Sequence, residues 1–266
     1  MRLPAVPKSA SIREALEAMR ERGLYHVLVL EEDGSVAGIV SVVDMARRLV
    51  EDLEAAGDVE RVDAVRRFLE TRVEDIETRP VIIADADITL RDAARIMYSR
   101  GIGCLPLSRD DTIVGAVCEP DVVAALAEEP LRDPVYNHST RRLVYAEDSD
   151  TVWEALGVMT EGGFRRLPVL ARGALAGVTT IHMLVKAVTE NPEALYESIA
   201  PRHLREATTI DPRDPVPQAA ARILVSGVGA VLLTVGGVPA GIFTERDAVR
   251  VYAEKGDPRR RPRLEE

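Results

Sequence analysis

The segment Gly241-Ile242-Phe243-Thr244-Glu245-Arg246-Asp247 joins a short apolar strand to the start of a helix. Thr244 and Asp247 form the Thr-x-x-Asp pattern of a helix N-terminus, and the apolar residues that follow continue at helical spacing. The first turn of a helix presents free backbone N–H groups and the positive end of the helix dipole, which together favour an anion such as phosphate. The segment therefore predicts a strand–helix junction at which a phosphate group can bind.

Altered copies of this segment occur three more times, so the chain contains four repeats. The distance from the first glycine of a repeat to its helix-start position changes by at most one residue among the copies. The first glycine is Gly23, Gly101, Gly163 or Gly227, the second glycine is Gly38, Gly115, Gly177 or Gly241, and the helix-start position is Asp44, Asp121, Met183 or Asp247. Chance does not keep these marks in register four times.

Each repeat has the same local pattern. In repeat 1 a helix is predicted from the Ser11-x-x-Glu14 capping box, and its apolar residues recur at helical spacing as far as Met19. Two short strands follow, and then a second helix. A short extended piece precedes the first helix, for example Val81-Ile82-Ile83 before repeat 2. A unit of this size has a small core, so we expect the repeats to pair through their sheets.

Composition and charge narrow the class of protein. The 266 residues are 46% apolar, which is typical of a globular chain, and no run is long enough for a membrane span. The N-terminus lacks the apolar core of a signal peptide, so we expect a cytoplasmic protein. Few side-chain amides beside many ion-pairing residues favour a thermophile. A net charge of −10 disfavours nucleic acid as a partner.

The two cysteines, Cys104 and Cys118, neither form a disulfide framework nor a zinc-ligand cluster, and we interpret them as small core residues. Enzyme motifs are also missing from the sequence. It contains no Gly-x-Ser-x-Gly, no phosphate-binding loop ending in Gly-Lys-Ser/Thr and no His-Glu-x-x-His. We therefore expect no catalytic residues, no metal site and no catalytic cofactor.

The repeats resemble a known family in three segments in particular, which are Gly101-Ile102-Gly103-Cys104-Leu105-Pro106-Leu107, Gly163-Phe164-Arg165-Arg166-Leu167-Pro168-Val169 and Gly241–Asp247. These segments resemble the signature of the cystathionine-β-synthase (CBS) domain, and the resemblance covers nearly the whole chain. In that family two copies pair into a Bateman module, whose clefts usually bind adenosine-containing ligands. Four copies without a catalytic domain are similar to the γ subunit of AMP-activated protein kinase and to archaeal stand-alone relatives.

The resemblance implies an α/β fold of two Bateman modules, each a pseudo-twofold pair of CBS repeats with small sheets flanked by helices, packed into a flat disc. Module 1 is expected over residues 1–130, with repeat 1 at about 1–50, a helical linker at about 51–71 and repeat 2 at about 72–130. Module 2 is expected over residues 131–266, with repeat 3 at about 131–190, repeat 4 at about 195–254 and a basic tail at 255–266.

The charge run of the linker is interpreted as a solvated helix face, with a surface for a partner as the alternative. The tail is interpreted as a disordered, solvated segment, with a nucleic-acid arm as the alternative.

The resemblance also implies ligand roles for particular residues. The aspartate that holds ribose hydroxyls in the family matches Asp44, Asp121 and Asp247. The Ser or Thr three residues before it matches Ser41 and Thr244. Repeat 3 has Met183 in place of the aspartate, so it lacks the side chain that would hold a ribose.

The expected phosphate contacts are Arg165 and Arg166, and Arg246 is expected among the nucleotide-binding residues. His26 stands at the matching place in repeat 1, where we interpret it as a cleft-wall or core histidine, with phosphate contact as the alternative. Cys104 and Ala230 stand at the same place in repeats 2 and 4. An adenine slot is expected along two backbone stretches that contain glycine, namely Ile102-Gly103-Cys104 and Val228-Gly229-Ala230.

A simpler interpretation of the aspartates stays open. Ser41-x-x-Asp44 and Thr244-x-x-Asp247 are sufficient as capping boxes, which stabilise a helix by about 1 kcal/mol without any ligand. For Arg165 and Arg166, the alternative to phosphate contact is a solvated pair.

We expect a non-catalytic regulatory sensor for AMP, ADP, ATP or a related adenosyl ligand, with S-adenosylmethionine as an alternative. It would be read by a protein partner and form a homodimer. The alternatives are a structural or interaction protein with degenerate clefts and a ligand-gated regulator of a nucleic-acid process.

Overall fold

The chain folds into four copies of one β-α-β-β-α unit in the computed structural model, which describes residues 3–263. The helices in this range are α1 (Ile12–Arg22), α2 (Val42–Glu70), α3 (Leu90–Arg100), α4 (Glu119–Ala127), α5 (Val152–Gly162), α6 (Ile181–Glu190), α7 (Val216–Ser226) and α8 (Glu245–Lys255). The strands are β1 (Ala5–Pro7), β2 (His26–Leu30), β3 (Val36–Ser41), β4 (Ala84–Asp85), β5 (Cys104–Arg109), β6 (Thr112–Cys118), β7 (Ala146–Glu147), β8 (Arg166–Ala171), β9 (Ala174–Thr180), β10 (Thr209–Ile210), β11 (Ala230–Val235) and β12 (Val238–Thr244). The predicted order of elements is confirmed.

Local sequence signals begin and end these helices. The hydroxyl of Ser11 accepts from the N–H of Glu14, and the Glu14 carboxylate accepts from the N–H of Ser11, which completes a capping box at α1. Gly23 then ends the helix in the left-handed conformation at φ 63°, which glycine adopts without a steric penalty. Gly101, Gly163 and Gly227 end α3, α5 and α7 in the same way.

Each repeat forms its own three-stranded sheet. The short first strand pairs parallel to the second strand, which pairs antiparallel to the third. In repeat 1 the inward-facing Val27 and Val29 of β2 are fully buried against Met19 of α1 and its neighbours. Alternation along the strand thus directs one face of the sheet to the helices.

Repeats 3 and 4 are joined by a reciprocal backbone exchange. The N–H and carbonyl groups of Thr140, in the extended piece at the start of repeat 3, pair with those of Ile242 in β12, with both distances at 2.9 Å. Arg205, in the extended piece at the start of repeat 4, pairs in the same way with Val178 in β9. In module 1 the N–H of Thr78 donates to the carbonyl of Ile39 (2.9 Å). The extended piece of one repeat therefore closes the sheet edge of its partner, which gives two Bateman modules.

The second glycine of a repeat makes room for this crossing. A Cβ at Gly177 would lie 2.5 Å from the carbonyl oxygen of Arg205, and a Cβ at Gly241 would lie 3.1 Å from that of Thr140. Any larger residue would push the two backbones apart. The second glycine of the sequence pattern thus marks the position where the backbones of two repeats come close together.

Helices join the modules to each other. Helix α2 packs on α5 and α6, which places repeats 1 and 3 around one apolar core. Helices α3 and α4 pack on α7 and α8, which places repeats 2 and 4 around a second core. Sheet-edge exchange within modules and helix packing between them therefore close a ring of four repeats.

The linker after repeat 1 and the C-terminal tail compare differently with their predictions. The predicted linker helix is continuous with the last helix of repeat 1, since α2 runs to Glu70 with a break at Gly57. The prediction of a disordered tail is wrong as far as the structure describes it. The carbonyl of Arg260 accepts from the N–H of Leu90 (2.8 Å), and its guanidinium pairs with Glu128 (2.8 Å). Residues 264–266 lie outside the described residues.

The interpretation of the cysteines as independent core residues is also wrong. Cys104 in β5 and Cys118 in β6 are opposite each other in the ladder and form a disulfide, although both are buried as expected. Sequence separation gave no hint of this, because the pairing depends on where the turn between the strands sits. No helix within residues 3–263 has the length and apolar character needed to cross a membrane.

The close approach at the second glycine can be tested with one methyl group. We expect Gly177→Ala to lower the free energy of unfolding by about 1–3 kcal/mol, because the added Cβ meets a backbone carbonyl. Gly157→Ala in α5 is the control. Its Cβ meets nothing within 4 Å, so this change should be neutral or stabilising by up to about 1 kcal/mol. Equal effects in chemical denaturation would contradict the crossing.

The disulfide can be tested by thiol titration. Protein prepared without reductant should show no reactive thiol after unfolding, and reduced protein should show both Cys104 and Cys118. Because the bond closes a loop with a sequence separation of 14, its reduction should lower stability by about 3 kcal/mol. Free thiols in protein never exposed to reductant would contradict the bond.

Candidate functional site

Three cavities open where a third strand ends and the following helix begins. The repeat-1 cleft, about 360 Å³, includes Ser41 and Asp44 on its wall, and the repeat-4 cleft, about 240 Å³, includes Thr244 and Asp247. The repeat-3 cleft, about 560 Å³, is lined at the same place by Thr180 and Met183. The strand–helix junction found in the sequence is therefore a wall of each cavity.

The aspartates of these junctions complete capping boxes. One carboxylate oxygen of Asp247 accepts from the N–H (3.0 Å) and the hydroxyl (2.8 Å) of Thr244. The other oxygen accepts from Arg250 (3.3 Å). Asp44 accepts from Ser41 in the same way, at 2.8 and 2.6 Å. The capping role that the sequence left open is thus present, and it leaves acceptor capacity on these carboxylates facing the clefts.

The strand–helix junctions of repeats 2 and 3 differ from those of repeats 1 and 4. Asp121 accepts from the N–H of Cys118 (2.8 Å), and it does not line any of the three cavities. In repeat 3 the hydroxyl of Thr180 accepts from the N–H of Met183 (3.3 Å), whose thioether cannot take the place of a carboxylate. The repeat-3 cleft therefore lacks the acceptor that the other two cavities have.

Arg165 spans the boundary between the modules. Its guanidinium donates to both carboxylate oxygens of Glu119 in repeat 2, at 2.6 and 2.8 Å. Burial alone would raise the pKa of Glu119, but Arg165, together with Arg166 and Arg246, outweighs it and holds that pKa below its usual value. The pair is ionised and largely withdrawn from solvent, and Arg165 lines both the repeat-1 and the repeat-4 clefts.

Arg166 forms a second buried pair within module 2. It donates to the carboxylate of Glu245 and to the carbonyl of Val228. A Cβ at Gly229 would collide with this guanidinium, so the glycine leaves space for the pair. The residues of the predicted adenine slot at Val228, Gly229 and Ala230 therefore lie against Arg166, and they do not line any of these three cavities.

The predicted residues of repeat 2 do line a cavity. Ile102, Gly103 and Cys104 lie on the wall of the repeat-1 cleft, opposite Ser41 and Asp44. The extended piece at 80–82 forms another side of this cleft, and the piece at 142–144 forms the equivalent side of the repeat-4 cleft. An apolar slot edged by backbone is present in both places.

Arg246 and His26 also reach the repeat-1 cleft. Arg246 donates to the carbonyl of Gly101 (2.7 Å) and lines the repeat-4 cleft as well. Burial lowers the pKa of His26 to about 4, against an opposing effect from Glu119, so its imidazole is neutral near pH 7. His26 therefore presents no positive charge to a phosphate, unlike the two arginines at the matching place in repeat 3.

Sequence reasoning missed Glu119, Glu245, Tyr25 and His182. The rings of Tyr25 and His182 stack at a centroid distance of 3.8 Å and form part of the wall between the repeat-1 and repeat-3 clefts. Burial lowers the pKa of His182 to about 3, and the nearby arginines add to this effect. The two glutamates had a detectable signal, since they are the first residues of α4 and α8 where repeats 1 and 3 have Val42 and Ile181.

In the described part of the chain, no group of three or more His, Cys, Asp or Glu side chains is placed to hold a metal ion. The clefts instead combine capping-box carboxylates, buried guanidinium groups and apolar edges. Such walls suit a ligand that has a flat apolar part, hydroxyl donors and an anionic group.

The chain has relatives along most of its length. It is 29% identical over 264 residues to an uncharacterized 33.4 kDa protein in a ribosomal RNA operon of Thermofilum pendens, covering 93% of this chain and 87% of the relative. The fold is similar to the crystal structure of protein MJ1225 from Methanocaldococcus jannaschii, which is described as a proposed archaeal homologue of γ-AMPK. The TM-score is 0.79 at 21% sequence identity, and the match covers 95% of this chain and 97% of MJ1225. An uncharacterized conserved protein from Pyrococcus horikoshii has a TM-score of 0.62 at 16% identity, with coverage of 94% and 96%.

The family assignment follows from the sequence signature of the CBS domain. That signature matches four separate segments, residues 2–51, 73–128, 135–190 and 202–254. Each segment corresponds to one β-α-β-β-α unit of the fold, and in repeat 1 the last helix, α2, continues beyond the matched segment. The chain therefore belongs to the CBS domain family and consists of four CBS domains.

Proposed function

We propose that the chain is a non-catalytic regulatory sensor that binds AMP, ADP, ATP or a related adenosyl ligand, with S-adenosylmethionine as an alternative, in clefts between paired CBS repeats. CBS domains are in general regulatory modules without catalysis of their own. The observation that carries the proposal is the repeat-4 cleft, where Thr244, Asp247, Arg165 and Arg166 line one cavity of about 240 Å³.

The chemistry of this cleft matches the parts of a nucleotide. An ionised carboxylate can accept both hydroxyls of a ribose, and such charge-assisted bonds are stronger than neutral ones. Asp247 is at the first turn of α8, where the helix dipole favours its charge. The planar forks of Arg165 and Arg166 suit phosphate oxygens, and the backbone at 142–144 offers an edge for the base.

Ligand binding would act through a population shift. A ligand in the repeat-4 cleft contacts repeats 3 and 4, and its charge alters the pairs that Arg165 and Arg166 make with their glutamates. Because the Arg165–Glu119 pair crosses between modules, the arrangement of the modules would depend on the ligand. A protein partner would read that arrangement, in a cytoplasmic homodimer.

A thermophilic source remains part of the proposal. The few side-chain amides and the many ion pairs favour it. The internal disulfide is compatible with it, since intracellular proteins of hyperthermophiles are often rich in disulfides.

The second candidate function is a scaffold with degenerate clefts. Met183 favours it in repeat 3, and the completed capping boxes show that Asp44 and Asp247 have a structural use without any ligand. The sensor and the scaffold predict different effects on ligand affinity when the carboxylate of Asp247 is removed.

Calorimetry with AMP, ADP, ATP and S-adenosylmethionine tests the sensor directly. We expect at least one of them to bind with a dissociation constant on the order of tens of micromolar or tighter. No heat with any of the four, at protein concentrations able to detect this affinity, would favour the scaffold.

Substitution of Asp247 separates ligand binding from helix capping. Asp247→Ala should cost about 1 kcal/mol of stability through the lost cap and weaken the bound ligand by about tenfold or more, because charged hydrogen bonds to the sugar are lost. Glu154→Ala is the matched control, since Glu154 completes the same capping box with Thr151 on an exposed helix start. It should lower stability alike and leave affinity unchanged. Equal affinities for both variants would support capping as the sole role of Asp247.

A further inference from the structure

Glu119 and Glu245 occupy equivalent positions at the centre of the four repeats. Each is the first residue of a helix that follows a third strand. The backbone N–H of Glu119 donates to the carbonyl of Gly103 (2.9 Å), and that of Glu245 donates to the carbonyl of Gly229 (3.1 Å). Each of these glycines lies two residues after the first glycine of its own repeat. The same backbone contact in the other repeats is made by the apolar residues Val42 and Ile181. The two carboxylates therefore sit by backbone geometry beside glycines that leave space for an incoming side chain.

At Gly229 the guanidinium of Arg166 fills that space, whereas at Gly103 the imidazole of His26 lies nearest. Both glutamates are paired with arginines of repeat 3. Arg165 makes a two-bond fork with Glu119, and Arg166 pairs with Glu245. The side chains of Glu119 and Arg165 are only 6% and 17% exposed. A carboxylate bound by a guanidinium fork presents two oxygens in the same arrangement as two oxygens of a phosphate. Glu119 thus supplies, from within the chain, the anion that Arg165 would otherwise take from a ligand.

The position of Arg165 lets the two anions compete for the same two N–H groups of its guanidinium. Its side chain lines the repeat-4 cleft and also the repeat-1 cleft, where Glu119 is a wall residue. The structure gives both of its fork hydrogen bonds to Glu119. A phosphate in the repeat-4 cleft can bind this fork only by drawing it away from the carboxylate.

We propose that Glu119 is a built-in competitor for the phosphate of the ligand, so that it sets the affinity of the repeat-4 cleft for phosphorylated ligands and not for the nucleoside part. This inference rests on the proposed function, because it takes the repeat-4 cleft as the ligand site. Glu119 is a specificity-determining residue in this scheme, although it belongs to repeat 2 and lies outside the module whose ligand it controls.

The competition also links the two clefts. When a phosphate draws Arg165 away, Glu119 remains as an ionised wall residue of the repeat-1 cleft, with Arg246 as the other arginine that reaches this cleft from module 2. The repeat-1 cleft then gains negative charge. Occupation of the repeat-4 cleft by a phosphorylated ligand should therefore disfavour a second phosphorylated ligand in module 1.

The test compares AMP with adenosine on the full chain by calorimetry. Glu119→Gln keeps the shape of the side chain but removes its charge, so we expect AMP to bind about tenfold more tightly than to the wild type. Adenosine has no phosphate to compete, and its affinity should stay within about twofold. Glu128→Gln is the control, since Glu128 follows the same helix and pairs with Arg260 at the surface (2.8 Å). It should leave both affinities unchanged.

A second variant covers the case in which Glu119→Gln does not fold. Glu119→Asp keeps the charge but withdraws the carboxylate by one methylene, and it should tighten AMP binding by a smaller factor, about threefold. An unchanged or smaller preference for AMP over adenosine in the folded variants would overturn the inference while leaving the proposed function intact. Failure of the wild type to bind either compound would remove this inference, and the proposed function would fail with it only if ADP, ATP and S-adenosylmethionine gave no heat as well.

Discussion

The architecture depends on one backbone crossing, in which the extended piece before one repeat pairs with the third strand of its partner. The crossing is close because the second glycine has no side chain, and at Gly177 and Gly241 the opposing carbonyl takes the space of a Cβ. It also places the extended piece beside the start of the next helix. Pairing of the repeats, closure of the sheet edge and formation of a cleft are therefore consequences of the same contact.

The centre of the ring has a different physical basis. Removing a guanidinium and a carboxylate from water is costly, and a buried pair offsets that cost only with good geometry and with its hydrogen bonds made. Arg165 and Glu119 meet this condition through a fork at 2.6 and 2.8 Å. Such a pair contributes little net stability, but breaking it leaves a buried charge. In the function proposed above, an incoming anion would compete with Glu119 for the guanidinium of Arg165.

Much of the fold could be predicted from the sequence, because its signals are local. Capping boxes, helix-ending glycines and apolar spacing fix each unit, and their fourfold recurrence fixes the number of units. The family resemblance placed Asp44, Asp247, Arg165 and Arg166 at the cavities where the structure has them.

Contacts between distant segments could not be predicted in the same way. The disulfide depends on the register of β5 against β6, and the partners of Arg165 and Arg166 depend on how the repeats face each other. Burial of Val228 and Ala230 next to Arg166 follows from that same packing. The tail looked solvated because its arginines and prolines carry no periodic pattern, yet its backbone and side chains bind the ends of α3 and α4.

A crystal structure of the chain with AMP tests the central claim most directly. We predict AMP in the repeat-4 cleft, with its ribose hydroxyls on the carboxylate of Asp247 and its phosphate on Arg165 or Arg166. AMP on another surface of the chain, or in this cleft with its ribose turned away from Asp247, would contradict the account.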